Sequence, residues 1–377
     1  MTSSAESAIR IDIPGRPRAC DILVESGLLA RWADEIRARA PASGYLVVID
    51  ERVAALRPEF AAAGLGPLIP VPAGESGKTL SSYAGLCERL LAFAPDRRTV
   101  LAAVGGGVTG DLAGFAAATL LRGLAWVQTP TTLLAQVDSS VGGKTGVNAG
   151  GGKNLVGAFH QPSLVLADPG ALSTLPRREW LAGYAEVVKY ALLGDAAFFE
   201  DLDADPPTRE SDPARLACVV RRCCRIKAGI VASDERESGR RALLNYGHTF
   251  GHALEALAGY DGCVTHGEAV AVGMLLAADF AVARGLCPAG APARMRGHWA
   301  RAGLPGSIGE LGCGGQGGRG PDWRALLSGP ELEQALSRDK KAAAASLALI
   351  LPSALGRCEI RRGFAPAEAA DFMRAAL

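Results

Sequence analysis

Three of the five histidines in this chain fall between positions 248 and 266, in Asn245-Tyr246-Gly247-His248-Thr249-Phe250-Gly251-His252 and again in Thr265-His266-Gly267-Glu268. Imidazole is the commonest metal ligand among side chains and the usual proton carrier near neutral pH, so three together point to a metal, a catalytic site or both. His248 and His252 are four residues apart, a spacing that on a helix stacks both rings on one face and lets them converge on one ion. The same spacing suits a core helix whose histidines hydrogen-bond internally. A metalloprotease is excluded, because Thr249 stands where that motif needs its general-base glutamate.

A histidine-rich site needs a further ligand, and Ala185-Glu186-Val187-Val188-Lys189-Tyr190 offers one. Its neighbours are nearly all apolar, so Glu186 and Lys189 would be costly to bury unless paired or coordinated. Glu186 is a hard-oxygen donor suited to zinc; an ordinary i,i+3 ion pair with Lys189 is the alternative.

Glycine-rich turns supply a second kind of chemistry. Gly105-Gly106-Gly107-Val108-Thr109-Gly110-Asp111 follows a predicted strand and opens a small-residue helix, which is the context of a dinucleotide fingerprint. It departs from that fingerprint in not being the first strand unit and in lacking an acid about 20 residues on. Asp50, ending an earlier strand, is a candidate for the adenosine ribose, and a plain strand-to-helix turn would read the same way. Asp138-Ser139-Ser140-Val141-Gly142-Gly143-Lys144-Thr145 is a near-miss for a phosphate-binding P-loop, and Pro72 spoils a second one ending at Gly77-Lys78-Thr79, which argues against a Walker-type ATPase. Lys144 and Gly152-Lys153-Asn154 nevertheless place ammonium groups on glycine-flanked loops, where they would meet an anionic ligand or simply be solvated. Lys227 and Arg241 bracket the histidine segment from two basic stretches whose other charges read as a solvated face.

The elements that must position these groups fall into two halves. Leu46 to Asp50 and Thr99 to Val104 are short apolar runs ending at turn residues, the signature of buried parallel strands. Predicted helices near 26–40, 51–63 and 79–94 alternate with them. After Leu172-Ser173-Thr174-Leu175-Pro176 long helices are predicted at about 177–193, 213–232, 240–258, 266–284 and 289–302, with a turn at Tyr260-Asp261-Gly262. Residues 312–321 form a glycine-rich loop, and a late strand is expected at 346–351. The 377 residues therefore suggest two domains, 1–175 and 176–377.

Composition narrows the function. With 40 basic and 39 acidic residues the net charge is +1, which argues against a general nucleic-acid or membrane-surface binder. Nine scattered cysteines without Cys-x-x-Cys suggest reduced thiols and a cytoplasmic protein, and the first ten residues lack the basic start and apolar run of a signal peptide. The most apolar helix, around 269–283, contains Asp279 and is bounded by Glu268 and Arg284, and is expected to be a core helix and no membrane span.

Taken together, these segments resemble the 3-dehydroquinate synthase family of sugar phosphate cyclases. The matching stretches are residues 105–122, 129–145, 152–162, 182–190, 221–237, 242–255 and 266–274, with Arg338-Asp339-Lys340-Lys341 near the end. The resemblance implies an α/β fold with an N-terminal Rossmann-like NAD-binding domain, a C-terminal mainly α-helical domain, and zinc or cobalt in the cleft between them. Carried over by motif, the metal ligands are Glu186, His248 and His266, which leaves His252 to the substrate. NAD contacts come from Glu75 and Lys78, from Gly107, Val108, Thr109, Gly110 and Asp111, from Thr131, Thr132, Lys144 and Lys153, and from Leu172, Ser173 and Thr174.

The implied substrate is 3-deoxy-D-arabino-heptulosonate 7-phosphate, whose phosphate and carboxylate account for the concentration of cationic positions. Lys144, Asn154, Asn245, His252 and Lys340 or Lys341 would hold the phosphate, with Arg122 reaching in from a neighbouring subunit of a homodimer. Lys227 and Arg241 would take the carboxylate, while Asp138 and Lys189 orient hydroxyls and tune proton transfer. The implied sequence is hydride removal from C5 by NAD, β-elimination of phosphate, return of hydride, ring opening and aldol closure to 3-dehydroquinate, a step of aromatic amino acid biosynthesis. Two departures stand out: Ala149-Gly150-Gly151 replaces a bulkier, often basic stretch, and Arg240 replaces the usual leucine. The alternatives are a cyclase acting on sedoheptulose 7-phosphate and a metal-dependent NAD alcohol dehydrogenase of the glycerol dehydrogenase type.

Overall fold

The structure, a computed structural model, describes residues 8–12, 19–150, 152–235, 237, 239–259, 262–312, 320–337 and 346–377. Its strands are β1 (Ala8–Ile11), β2 (Cys20–Val24), β3 (Tyr45–Asp50), β4 (Leu68–Val71), β5 (Val100–Gly105), β6 (Ala125–Pro130), β7 (Lys144–Ala149), β8 (Gly152–Phe159), β9 (Leu164–Ala167), β10 (Leu347–Ala354) and β11 (Arg357–Phe364). Seven of them make one sheet in the order β1-β2-β9-β6-β5-β3-β4, parallel except for the β1–β2 pair. All six residues of β5 are buried. Strands covered on both faces read as continuous apolar runs because each alternate side chain meets a helix layer. Leu101 and Ala103 pack on one face with Leu112, Ala116 and Trp126, whereas Val100, Ala102 and Val104 pack on the other with Trp32, Ile36 and Phe60.

The strand order reverses at β3, with β4 on one side and β5 on the other. In open α/β sheets the ligand crevice opens beyond the carboxyl ends of the strands at such a point. Asp50 ends β3 and Gly105 ends β5 there. A Cβ on Gly105 would stand 3.1 Å from the Asp50 Cβ and 2.6 Å from the Thr109 hydroxyl, so glycine is required by the close approach.

The contacts divide the chain into two compact units, one comprising residues up to Trp180 plus 209–236, the other 181–208 plus 237–377. This differs from a single cut near 175. The helix Pro213–Ser233, placed in the second half on sequence order, packs on β1, β2 and the segment Ala135–Ser139 of the first unit. Its Arg221 donates to the Val24 carbonyl at 3.1 Å. Amphipathic spacing shows which face a helix buries but not against what.

Two predicted helices are interrupted. Residues 51–63 form Glu51–Leu56 and Glu59–Ala62, because Pro58 forces Arg57 out of the helical region, to φ −132°. Residues 240–258 form a 3-10 turn, Arg240–Asn245, and a helix, His248–Leu257, parted by Gly247 at φ 77°. The strand expected at 346–351 is β10, which forms an antiparallel hairpin with β11 against the helix His266–Ala283. That helix alone among the described residues is long and apolar enough to cross a membrane, and 72% of it is buried inside the protein, as a core helix is. Tyr260 and Asp261 of the expected turn, and 313–319 of the glycine-rich loop, lie outside the described residues.

Candidate active site

In the second unit three helices bring the metal-type ligands together, and glycines set how closely they cross. A Cβ on Gly267 would lie 2.2 Å from the backbone of Ala182, and one on Gly273 would lie 2.1 Å from the Gly247 carbonyl oxygen. Only glycine allows such backbone contact. The helix Arg177–Gly194 thereby presents Glu186 to His248 and His266, the first residues of their helices. His266 is fixed at that position by a capping box in which Thr265 and Glu268 satisfy each other's backbone donors.

Glu186, His248 and His266 each offer a ligand atom, all within 4.8 Å of one another. The Nε2 atoms of His248 and His266 lie 3.7 and 3.6 Å from Glu186 Oε1. An ion about 2.0–2.2 Å from each donor fits between atoms so spaced. The Nδ1 atoms face away, that of His248 toward the Tyr246 carbonyl at 3.0 Å and that of His266 toward Glu255 Oε2 at 2.9 Å. A carbonyl or carboxylate accepts only, so each Nδ1 carries the proton and each Nε2 is directed at Glu186. Burial, reinforced by Lys189 and the other two histidines, holds His248 well below the usual imidazole range and hence neutral. Burial also pulls His266 down, but Glu186 and Glu255 outweigh it and push that imidazole up to about 10.

Glu186 is fully buried, and neither carboxylate oxygen makes a hydrogen bond, although Lys189 forms an ion pair with it. A carboxylate taken out of water needs more compensation than one ion pair, and the two imidazoles with one carboxylate match a three-ligand catalytic zinc set. A second trio, His252, Glu255 and His266, is also close. It fits less well, because the Glu255 carboxylate is already engaged by His266. His252 is half-buried beside both histidines, its ring 5.2 Å from that of His248 and 5.8 Å from that of His266. Glu255 had no role in the sequence reading; standing seven residues after His248, it shares that helical face, which was the available signal. In the same unit Asn245 donates to Glu237 at 3.1 Å, and Arg241 is buried.

The first unit gathers the expected cofactor positions at the switch point. The helix Gly107–Thr119 starts beyond β5 with no side-chain cap, leaving its first N–H groups for an anion. Gly106 packs on Thr132 and Gly107 on Ser139, so glycine keeps this approach open. Val108, Thr109 and Gly110 lie in the first turn, and Thr131 donates its N–H to the Gly105 carbonyl. Asp50 caps the following helix, its Oδ1 accepting from the N–H groups of Arg52 and Val53. Leu172 is buried and Ser173 and Thr174 exposed in the turn after β9, where Ser173 meets Arg57.

Lys78 and Lys227 of this unit each meet a carboxylate. Buried Lys78 contacts Asp111 and the Asn154 amide oxygen, each at 2.5 Å. Burial raises the Asp111 carboxyl, with Lys78 opposing. Lys227 donates to the Asp138 carbonyl at 2.8 Å and ion-pairs with its carboxylate. Asp138 lies in a π-helical turn, Ala135–Ser139, a distortion often found at functional sites. Lys144 is exposed and Lys153 half-buried on the β7–β8 hairpin, Glu75 is exposed, and Arg122 is exposed with its backbone at φ 67°. Lys340 and Lys341 lie outside the described residues.

Comparison with known proteins bears on this arrangement. The family model for the 3-dehydroquinate synthase N-terminal domain matches residues 68–182, and that for the C-terminal domain matches 183–342. A 3-dehydroquinate synthase of Paracoccus denitrificans (strain Pd 1222) is 47% identical over 93% of this chain and 94% of its own. One from Bradyrhizobium sp. (strain BTAi1) is 46% identical over 98% and 96%. A 2-epi-5-epi-valiolone synthase from Streptomyces hygroscopicus subsp. jinggangensis 5008, solved with NAD+ and Zn2+ bound, superposes with TM-score 0.82 at 28% identity, covering 96% of this chain and 97% of that one. A probable glycerol dehydrogenase from Sinorhizobium meliloti 1021, 17% identical with TM-score 0.59 over 93% of this chain and 94% of that one, shares the fold alone.

Proposed function

The chain belongs to the 3-dehydroquinate synthase family, and we propose that it performs that family's reaction through the metal-type trio Glu186, His248 and His266. The enzyme converts 3-deoxy-D-arabino-heptulosonate 7-phosphate to 3-dehydroquinate and phosphate, using NAD and a divalent metal. The observation that carries the assignment is the convergence of two Nε2 atoms on the hydrogen-bond-free carboxylate of Glu186. When bound, the ion polarises substrate hydroxyls, and NAD takes up and returns the hydride that makes phosphate elimination feasible.

The chain's own residues do the rest. In our reading the uncapped helix start at Gly107–Asp111, with Thr131, Thr132 and the Leu172–Thr174 turn, seats the dinucleotide, and Glu75, Lys78 and Lys153 flank it. Asp50 serves the ribose through Oδ2, since Oδ1 caps its helix. Lys144, Asn154, Asn245 and His252 hold the phosphate, with Lys340 or Lys341 from the segment beyond the described residues. Lys227 and Arg241 receive the carboxylate; each is buried, so water screens its charge little. Asp138 and Lys189 sit beside Lys227 and Glu186 as the groups that hold hydroxyl protons.

We also infer a homodimer in which Arg122 reaches the neighbouring site, and a cytoplasmic location. Leu121 and Arg122 both hold positive φ, 50° and 67°, a strain that such placement would explain. Eight free thiols among the described residues suit a reducing compartment.

The test is phosphate release from the heptulosonate phosphate with NAD and zinc, with and without chelator. Release that stops with chelator and returns with zinc or cobalt is expected. Release from sedoheptulose 7-phosphate in preference, or net NADH accumulation with a simple alcohol, would overturn the reading.

A further inference from the structure

One side chain outside every role above joins two parts of the first unit. Asn148 sits in β7 at a shift in the β7–β8 register, between Val147 paired with Val156 and Ala149 paired with Gly152. A bulge removes a residue from its ladder and re-aims its side chain. Here the freed backbone pairs sideways: Asn148 N–H donates to the Lys78 carbonyl at 2.9 Å, and the residue makes an isolated bridge to Thr79. Its amide is used at both ends. Nδ2 donates to Glu75 Oε1 at 2.8 Å, and Oδ1 accepts the backbone N–H of Asn154 at 2.9 Å.

Asn154 needs such a hold. Its φ is 56°, in the left-handed region that asparagine tolerates better than most residues, and it is exposed on the hairpin. Its side chain is held as well, since Oδ1 accepts from Lys78. A lysine ammonium can only donate, so the atom facing it must be the amide oxygen, and Nδ2 is a donor with no partner among the described residues. The amide is thereby set to give a hydrogen bond to an anion before any anion arrives.

We propose that Asn148 is a positioning residue that ties the Glu75–Lys78 loop to Asn154, so that seating the cofactor and presenting a donor to the substrate phosphate are coupled. The coupling rests on the roles proposed above for Glu75, Lys78 and Asn154. It runs through contiguous hydrogen bonds: Glu75 to Asn148, Asn148 to the backbone of Asn154, and Lys78 to the Asn154 amide. A ligand that orders the loop lowers the ordering cost of the hairpin, and the effect is reciprocal.

The test separates the two arms. Asn148→Asp keeps the oxygen that accepts from Asn154 but turns the donor toward Glu75 into a repelling carboxylate. It should weaken NAD binding roughly fivefold, the loss of about one hydrogen bond, and abolish the mutual strengthening of NAD and inorganic phosphate binding expected of the wild type. Asn148→Ala should weaken both by a similar factor with little change in kcat. In a double-mutant cycle, Asn148→Ala and Glu75→Ala should be less than additive for NAD affinity. Wild-type NAD affinity that does not change with added phosphate, mutual strengthening that survives in the Asp variant, or additivity in the cycle would overturn the coupling. Asn154→Asp tests the underlying roles independently, because it keeps the left-handed backbone and the Lys78 contact but removes the donor. An unchanged KM for the heptulosonate phosphate in that variant would overturn the phosphate role, whatever Asn148 does.

Discussion

Glu255 accepts the Nδ1 proton of His266 at 2.9 Å while the other ring nitrogen points at Glu186. A carboxylate behind a ligating imidazole fixes its tautomer and raises its basicity. Glu255 is 3% exposed and lies on the same helix as His248, so one helix supplies both a ligand and the group that aims another.

Replacing Glu255 by glutamine should therefore lower zinc affinity about 10–100-fold, measured by competition with a chromophoric chelator. Unchanged affinity would show that the contact does not aim His266.

Zinc uptake should be linked to proton release. Against the effect of burial, Glu186 and Glu255 push the His266 imidazole up to about 10, so near neutral pH the ion must displace a proton from Nε2. Affinity should rise with pH below that value and flatten above it. Calorimetry in buffers of different ionisation enthalpy should report at least one proton released per zinc at pH 7.5; none released would contradict the arrangement.

Glu186→Ala should abolish tight zinc binding and reduce phosphate release on the order of 10³-fold, the scale of losing Lewis-acid stabilisation. Because the change leaves buried Lys189 without its ion-pair partner, the variant should also be less stable than metal-free wild type, so zinc stoichiometry is read on folded protein. Retained zinc stoichiometry would remove Glu186 from the ligand set.

Gly267→Ala places a methyl 2.2 Å from the Ala182 backbone, which cannot move as a flexible side chain can. It should cost about 1–3 kcal/mol in stability and weaken zinc binding by parting the helices that carry Glu186 and His266. A melting temperature and zinc affinity equal to wild type would contradict the close crossing.

Among the cysteines of the described residues, thiol labelling of the native protein should reach Cys218 first, since it is exposed. Burial pushes the Cys224 thiol up to about 12, with Asp138 adding to the rise and Lys227 opposing it. Cys224 should stay unlabelled at pH 8 until the protein unfolds.

Much of this site was legible in the chain because its signals are local. A glycine turn after an apolar run locates a helix start and its free N–H groups, and that reading needs only residues 99–111. The contact-based division departs from the single cut near 175 for the opposite reason: the helix Pro213–Ser233 shows an apolar face, yet which layer covers that face is settled far away in sequence.

The histidines show where the division falls. Sequence alone established that His248 and His252 share a helical face, that His266 opens the next helix, and that an acidic residue stands in an apolar stretch at 186. Periodicity by itself suggested the pair four apart as joint ligands and the apolar setting marked Glu186 as a further donor, while only the motif resemblance put His266 in the set and left His252 out. Tertiary structure decided the aim of each ring, because a ring's direction depends on what lies behind it: the Tyr246 carbonyl for His248, Glu255 for His266. It also decided the distance between the helices, which is set by backbone contacts at Gly247, Gly267 and Gly273 that no spacing rule encodes.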